Sequence, residues 1–313
     1  MSPQDRAMPQ GPALPSIDAL TPSEMAQKGA LLGLKKTQTG IVPLLVLAVL
    51  AGAFIAFGAL FATVSTTVAP GAAPLPYGPA KVLMGVAFSV GLILVIVGGA
   101  ELFTGNTLLT MSWAAGRISG RDVLRNWGIV YAGNFAGAAG IAAMVFLSGE
   151  WRSAGGGLGL AALTIAQAKS HLAFGEALVL GILCNILVCL AVWLSFSART
   201  TTDRILAIVP PVAAFVAAGF EHSVANMYFL PLGVLIRSFA PDAFWTAAGT
   251  NAAAFPDVTW AGFLGNLVPV TIGNAIGGGL FVGAVYWLVY IRHGHQHGPS
   301  PAAVAPVTVE TGH

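Results

Sequence analysis

Two stretches of the chain hold a glycine, a carboxylate and an amide at one spacing. Gly99-Ala100-Glu101-Leu102-Phe103-Thr104-Gly105-Asn106 and Gly219-Phe220-Glu221-His222-Ser223-Val224-Ala225-Asn226 both read G-x-E-x-x-x-x-N, and both interrupt long apolar runs. Ionisable groups inside hydrocarbon-length segments are costly and mark a functional site by default. A histidine changes charge near pH ~6.5, so His222 could donate or accept a proton at working pH. The plainer reading makes it a hydrogen-bonded interior residue. Glu101 and Glu221 also have two readings. They could carry protons, or, the preferred reading, accept backbone N–H bonds that a broken helix leaves unpaired. Asn106 and Asn226 can serve the same need.

The elements that position these groups follow from composition. Charged residues make up 8% of the chain and apolar residues 56%, against about 25% charge in a soluble domain. The chain therefore reads as an all-α integral membrane protein. A net charge of +2 gives no support for a nucleic-acid partner. Cys184 and Cys189 share one apolar run and read as packing residues. The N-terminus has no apolar core after Arg6 and does not read as a secretory signal.

Six apolar segments of spanning length lie near 40–66, 82–115, 122–148, 172–198, 204–240 and 258–291. The second contains Glu101, and the fifth contains Pro210-Pro211 followed by the Glu221 stretch. Irregular backbone at membrane depth is tolerated only where protein buries it or water lines it. The second and fifth helices are therefore expected to be broken and to face each other. Asn134-Phe135-Ala136-Gly137 in the third segment echoes Asn274-Ala275-Ile276-Gly277 in the sixth. With three helices per half, the second half must be inverted relative to the first, the pattern of channels and transporters.

Thr21-Pro22-Ser23-Glu24 predicts a helix start. The stretch to Lys36 reads either as a helix at the membrane surface or as a solvated lead-in, with Gly29 and Gly33 opposing the helix. The expected organisation is a cytoplasmic N-terminal segment 1–39, a six-helix channel domain 40–292 and a disordered cytoplasmic tail 293–313. His293, His295 and His297 in that tail could bind metal, but disorder is the preferred reading and no metal site is assigned. Arg6, Lys28, Lys35, Lys36, Arg117, Arg121, Arg125, Arg199, Arg204 and Arg292 fall on one side, and Lys81, Arg152, Lys169 and Arg237 on the other. The excess places both termini in the cytoplasm and the chain in the inner (plasma) membrane.

Three motifs in order carry a resemblance to a known family. Ile96-Val97-Gly98-Gly99-Ala100-Glu101-Leu102-Phe103-Thr104-Gly105, Gly181-Ile182-Leu183-Cys184-Asn185-Ile186-Leu187-Val188-Cys189-Leu190-Ala191 and Gly219-Phe220-Glu221-His222-Ser223-Val224-Ala225-Asn226-Met227 resemble the signatures of the formate/nitrite transporter family. The resemblance spans about 40–292. It implies an aquaporin-like fold, a homopentamer with one pore per subunit, and passage of small weak-acid anions such as formate, nitrite or hydrosulfide. By position it implies His222 and Thr104 as the central pore pair, with Glu221 beside them. Asn185 would face the pore and Lys169 would stand at the outer mouth. The apolar constrictions would be Phe88, Leu92, Leu102, Phe103, Val188 and Phe215. Glu101, Asn106 and Asn226 would support the helix breaks, and no cofactor is implied.

Magnitudes then suggest a mechanism. A bare carboxylate entering a dry slit costs several kcal/mol. Neutralising an acid of pKa ~4 at pH 7 costs roughly 4 kcal/mol, after which the neutral acid passes apolar walls cheaply. The expected function is a formate channel or permease, not an enzyme, with proton-linked passage past His222. The alternatives are a nitrite or hydrosulfide channel, and a neutral-solute pore of the aquaporin type. The last lacks Asn-Pro-Ala pairs, since Thr107 follows Asn106 and Met227 follows Asn226. A membrane redox protein is poorly supported, because haem or metal sites need more ligands than one intramembrane histidine.

Overall fold

A computed structural model describes residues 18–293. The start of the N-terminal segment and the tail from residue 294, including His295 and His297, lie outside the described residues. All regular elements among the described residues are helical. Helix α1 (Pro22–Gln38) is followed by α2 (Ile41–Thr66) and α3 (Tyr77–Gly98). Short helices α4 (Phe103–Asn106) and α5 (Leu109–Ala114) complete the second segment. Then come α6 (Gly120–Ser148), α7 (Gly157–Ser170), α8 (Phe174–Ser197), α9 (Thr201–Ala217), α10 (Ser223–Phe239), α11 (Asp242–Ala248) and α12 (Trp260–Ile276). The last helix runs on as π-helical turns over Gly277–Ala284 and Trp287–Arg292.

Five helices are long and apolar enough to cross a membrane alone: α2, α3, α6, α8, and α12 with its extension. The fifth segment is divided between α9 and α10, of 17 residues each. Its division falls after Ala217, and α9 runs unbroken through Pro210 and Pro211. Helix α7 was not expected as a separate element. It is 14 residues long, too short for the spanning criterion, and it packs on α10.

The two breaks have one construction. Gly99 and Gly219 take left-handed backbone at φ +80° and +75°, which a side chain would strain. The chain then extends, and Glu101 and Glu221 donate their N–H groups to Leu47 and Leu180 carbonyls at 3.2 and 3.3 Å. One asparagine stitches each break. Asn134 accepts from Phe103 N–H at 2.8 Å and donates to the Ala48 and Glu101 carbonyls at 2.7 and 2.9 Å. Asn274 does the same for Ser223 N–H, Gly181 and Glu221 at 2.9, 2.8 and 2.9 Å. Buried backbone groups left unpaired would each cost about 1–3 kcal/mol.

The inverted repeat also governs packing. Helix α2 packs on α6, and α8 on α12. Close approach depends on glycine: a methyl at Gly137 would strike the Val49 carbonyl, and one at Gly277 the Ile182 carbonyl. The broken helices α3 and α9 pack against each other, as the two motifs required. Helix α1 begins with a capping box between Thr21 and Glu24. It buries Met25, Ala26 and Ala30 near Met111 and Trp193. Gly29 and Gly33, which opposed a helix on propensity, sit against Phe196 and Ser112; a methyl at Gly33 would strike the Ser112 side chain, and one at Gly29 would press on the Phe196 ring.

Candidate permeation site

Each break carries a polar cluster of the same residue types. Lys36 Nζ donates to Glu101 Oε2 and Asn106 Oδ1, both at 2.8 Å. Asn106 Nδ2 donates to Glu101 Oε2 at 2.7 Å and to Asn126 Oδ1 at 2.9 Å. In the other half, Lys169 Nζ donates to Glu221 Oε1 at 2.7 Å. Asn226 Nδ2 donates to Glu221 Oε2 and Asn266 Oδ1, both at 2.7 Å. Both carboxylates thus sit in a lysine–asparagine cluster, and their side chains are 13% and 5% exposed. Their charges are balanced in place, as buried charges must be. Lys169 is ion-paired to Glu221, which reduces its worth as a free charge at the pore mouth.

Two cavities approach these clusters from opposite ends. The near cavity, beside α1, has a volume of about 380 Å³ and meets Leu92, Glu101, Leu102 and Asn106. The far cavity, beneath α7, has a volume of about 260 Å³ and meets Phe88, Lys169, Phe215, Glu221 and His222. Between them lies one hydrogen bond, linking His222 Nε2 and Thr104 Oγ1 at 3.1 Å. Thr104 is fully buried and His222 nearly so. Leu102 and Gly105, on either side of Phe103 and Thr104, line the near cavity, while His222 lines the far one.

Aromatic rings close the far side above the histidine. Phe88 and Phe215 meet edge to face at 5.7 Å, and Phe215 stacks on the His222 ring at 5.9 Å. His222 also caps α10: its Nδ1 accepts the Ala225 N–H at 3.1 Å. A backbone N–H can only donate, so Nδ1 is unprotonated and the ring proton sits on Nε2, facing Thr104.

Among the residues implied by the resemblance, Thr104, Phe103, Val188 and Asn185 line neither cavity. Phe103 turns its ring onto Trp127 and Tyr131 at 5.8 and 5.0 Å and lines neither cavity. Val188 is buried and lines neither cavity. Asn185 is fully buried, and its Oδ1 has no hydrogen-bond partner. Its Nδ2 approaches the Thr104 carbonyl, Thr107 Oγ1 and the Asn274 carbonyl at 3.2, 3.0 and 2.6 Å. It ties one break to the other. Asn226, read as support for the second break, donates to Glu221 Oε2.

Lys36, Asn126 and Asn266 were missed by sequence reasoning. A signal for the asparagines was available, because Asn126 and Asn134, and Asn266 and Asn274, are each eight residues apart in their helices. Lys36 had a weaker one: it stands five residues before α2, as Lys169 stands five before α8. Among the described residues no group of three or more His, Cys, Asp or Glu could hold a metal ion.

Comparison with known proteins agrees with this geometry. The chain is 45% identical to the formate channel FocA of Escherichia coli K12 over 282 residues, 90% of this chain and 98% of that one. It is 38% identical to the formate channel FocB of the same strain over 252 residues, 80% of this chain and 88% of that one. Among solved structures it is similar to a pentameric formate channel with formate bound, with TM-score 0.75 and 46% identity, covering 80% of this chain and 97% of that one. It is also similar to an ion channel of the FNT family, with TM-score 0.71 and 28% identity, covering 85% and 98%. The family model for formate/nitrite transporters matches residues 23–288. This membrane-spanning chain therefore belongs to the formate/nitrite transporter family.

Proposed function

We propose that the protein is a channel for formate, working as a homopentamer in the inner membrane with both termini in the cytoplasm. The observation that carries this reading is the buried Thr104–His222 hydrogen bond between two opposed cavities. Relatives named as formate channels and a pentameric one with formate bound support the substrate and the assembly. The apolar outer face of α2, with Val42, Val46, Phe57 and Phe61 exposed, suits contact with lipid or with a neighbouring subunit.

Passage is proton-linked. The anion would leave water at either cavity and meet apolar walls, Leu92 and Leu102 on the near side, Phe88 and Phe215 on the far side. The charged form crosses such walls at a cost of several kcal/mol, whereas protonation of an acid of pKa ~4 at neutral pH costs roughly 4 kcal/mol. His222 offers Nε2–H as a hydrogen bond to the anion in place of Thr104. The Ala225 bond to Nδ1 supports this donor role over release of a ring proton, since an imidazolium would lose that cap. The proton that neutralises the acid then comes from water in the cavities, and the Thr104 hydroxyl steadies the carboxylate meanwhile.

The test is uptake of labelled formate into proteoliposomes under a pH gradient. Wild-type uptake should exceed that of protein-free vesicles and rise when the formate side is acidified. His222→Phe should lower uptake at every pH while the protein still elutes as a pentamer. Uptake by His222→Phe equal to wild type at every pH would remove the histidine from the mechanism.

A further inference from the structure

Lysine is the obvious anion attractor in both cavities, yet the deepest lysine of each is already engaged. Lys36 and Lys169 are ion-paired with Glu101 and Glu221. The remaining cations differ between the two ends. Lys28 of α1 and Arg204 of α9 both line the near cavity. Lys28 Nζ donates to the Phe196 carbonyl at 2.7 Å, a neutral partner. In the far cavity Lys81 is the corresponding cation, lying 5.6 Å from the Tyr77 ring centre. Among the described residues no carboxylate pairs with Lys28, Arg204 or Lys81. The near cavity is thus lined by three cations and one carboxylate, the far one by two cations and one carboxylate.

We propose that Lys28 and Arg204 form an anion-capture site at the near mouth, with Lys81 alone serving the far mouth, so that the near side collects small carboxylates more strongly. This rests on the reading of the protein as a formate channel. The two near-side cations come from separate segments, and an anion between them bridges α1 to the transmembrane body. Burial, together with the charges of Arg204 and Arg199, pulls Lys28 below its ordinary range. That crowding is relieved when an anion arrives. The carboxylates nearest in sequence are directed elsewhere: Asp203 accepts at the Thr200 cap and Glu24 at the Thr21 cap. A charge at a channel mouth acts chiefly on the rate and the salt dependence of capture.

The experiment compares formate uptake by intact cells and by inside-out vesicles, at about 20 and about 300 mM salt, where screening differs strongly. Lys28→Gln/Arg204→Gln should raise half-saturating formate at least about threefold at low salt in one preparation only. Lys81→Gln should do so, by a smaller factor, in the other preparation only. Both effects should shrink at high salt. Binding of formate to the solubilised full-length protein, read by saturation-transfer NMR, reports capture whether or not the pore conducts. There the double variant should lose more signal than Lys81→Gln. The capture site is overturned if the double variant matches wild type in the NMR measurement, or if it changes uptake equally in both preparations. Absence of formate flux in wild type, with the NMR difference intact, would instead count against the channel reading alone.

Discussion

Lys36 and Lys169 occupy equivalent places in the two halves, each at the end of the helix that precedes its half's first spanning helix. Lys36 reaches Glu101 from α1, and Lys169 reaches Glu221 from the end of α7, at 2.8 and 2.7 Å. The spanning helices and their breaks supply the glutamates and asparagines, and the helices that precede each half, α1 and α7, supply the counter-ions. Removing either lysine leaves a buried carboxylate uncompensated.

Lys169→Met should therefore lower stability by about 3 kcal/mol, because Glu221 is nearly enclosed. Lys36→Met should cost less, since the Lys36 side chain is 33% exposed against 15% for Lys169. Adding Glu221→Gln to Lys169→Met should recover more than half of the loss. Thermal unfolding of the detergent-solubilised protein measures all three. A double variant no more stable than Lys169→Met would show that the unpaired charge was not the cause.

The asparagine stitches set a sharper comparison. Asn274 accepts one N–H and donates to two carbonyls. Asn274→Asp keeps the acceptor but turns its other oxygen onto those two carbonyls, so it should destabilise at least as much as Asn274→Ala. Each loses about 1–3 kcal/mol per orphaned group. If Asp proved clearly milder than Ala in melting temperature, the two donor bonds would be unimportant.

Much of this site was legible in the sequence, and the parts that were not have physical reasons. Glu101, Glu221, Asn106 and Asn226 stand out because polar residues in apolar runs need a justification, and their spacing repeats. The faces of the second and fifth helices followed from the same pattern. The Lys36–Glu101 contact and α7 were not read, because a contact across 65 residues and a short helix outside the spanning length leave no periodic trace. Pro210 and Pro211 suggested a break that α9 does not have. Proline removes a donor but does not fix where a helix ends when tertiary packing holds it. Asn185 illustrates a further limit: sequence places an amide at pore depth but not whether it faces the lumen or joins two loops.

Glycine substitutions separate contact from propensity. Gly137→Ala and Gly277→Ala push a methyl onto the Val49 and Ile182 carbonyls and should each cost about 1–3 kcal/mol. Gly140, on the same helix as Gly137, meets nothing within 4 Å, so Gly140→Ala should be neutral or stabilising by up to about 1 kcal/mol. Melting temperatures of the three variants in one detergent check the order. Equal effects at Gly137 and Gly140 would mean that backbone approach between α2 and α6 is not what the glycine is for.

The N-terminal helix carries its own pH dependence. The Thr21 hydroxyl and then the Thr21 backbone N–H, each 2.7 Å from Glu24 Oε2, hold the Glu24 carboxyl below its usual range. A group whose folded pKa is depressed contributes stability that is complete above the unfolded value of about 4.3. That contribution is lost as pH falls through the lower folded value. Hydrogen exchange, corrected for its intrinsic acid dependence, should therefore show protection in the first turn of α1 falling between mildly acidic and strongly acidic conditions. In Glu24→Gln the first turn should be less protected at neutral pH and should lack that transition. Asp122 caps α6 through Ser119 in the same way, yet α6 is held by a long interface with α2. The first turn of α6 should stay protected where that of α1 opens. If the two first turns opened together, the capping carboxylates would not be setting the order, and general loosening of the bundle would explain the loss.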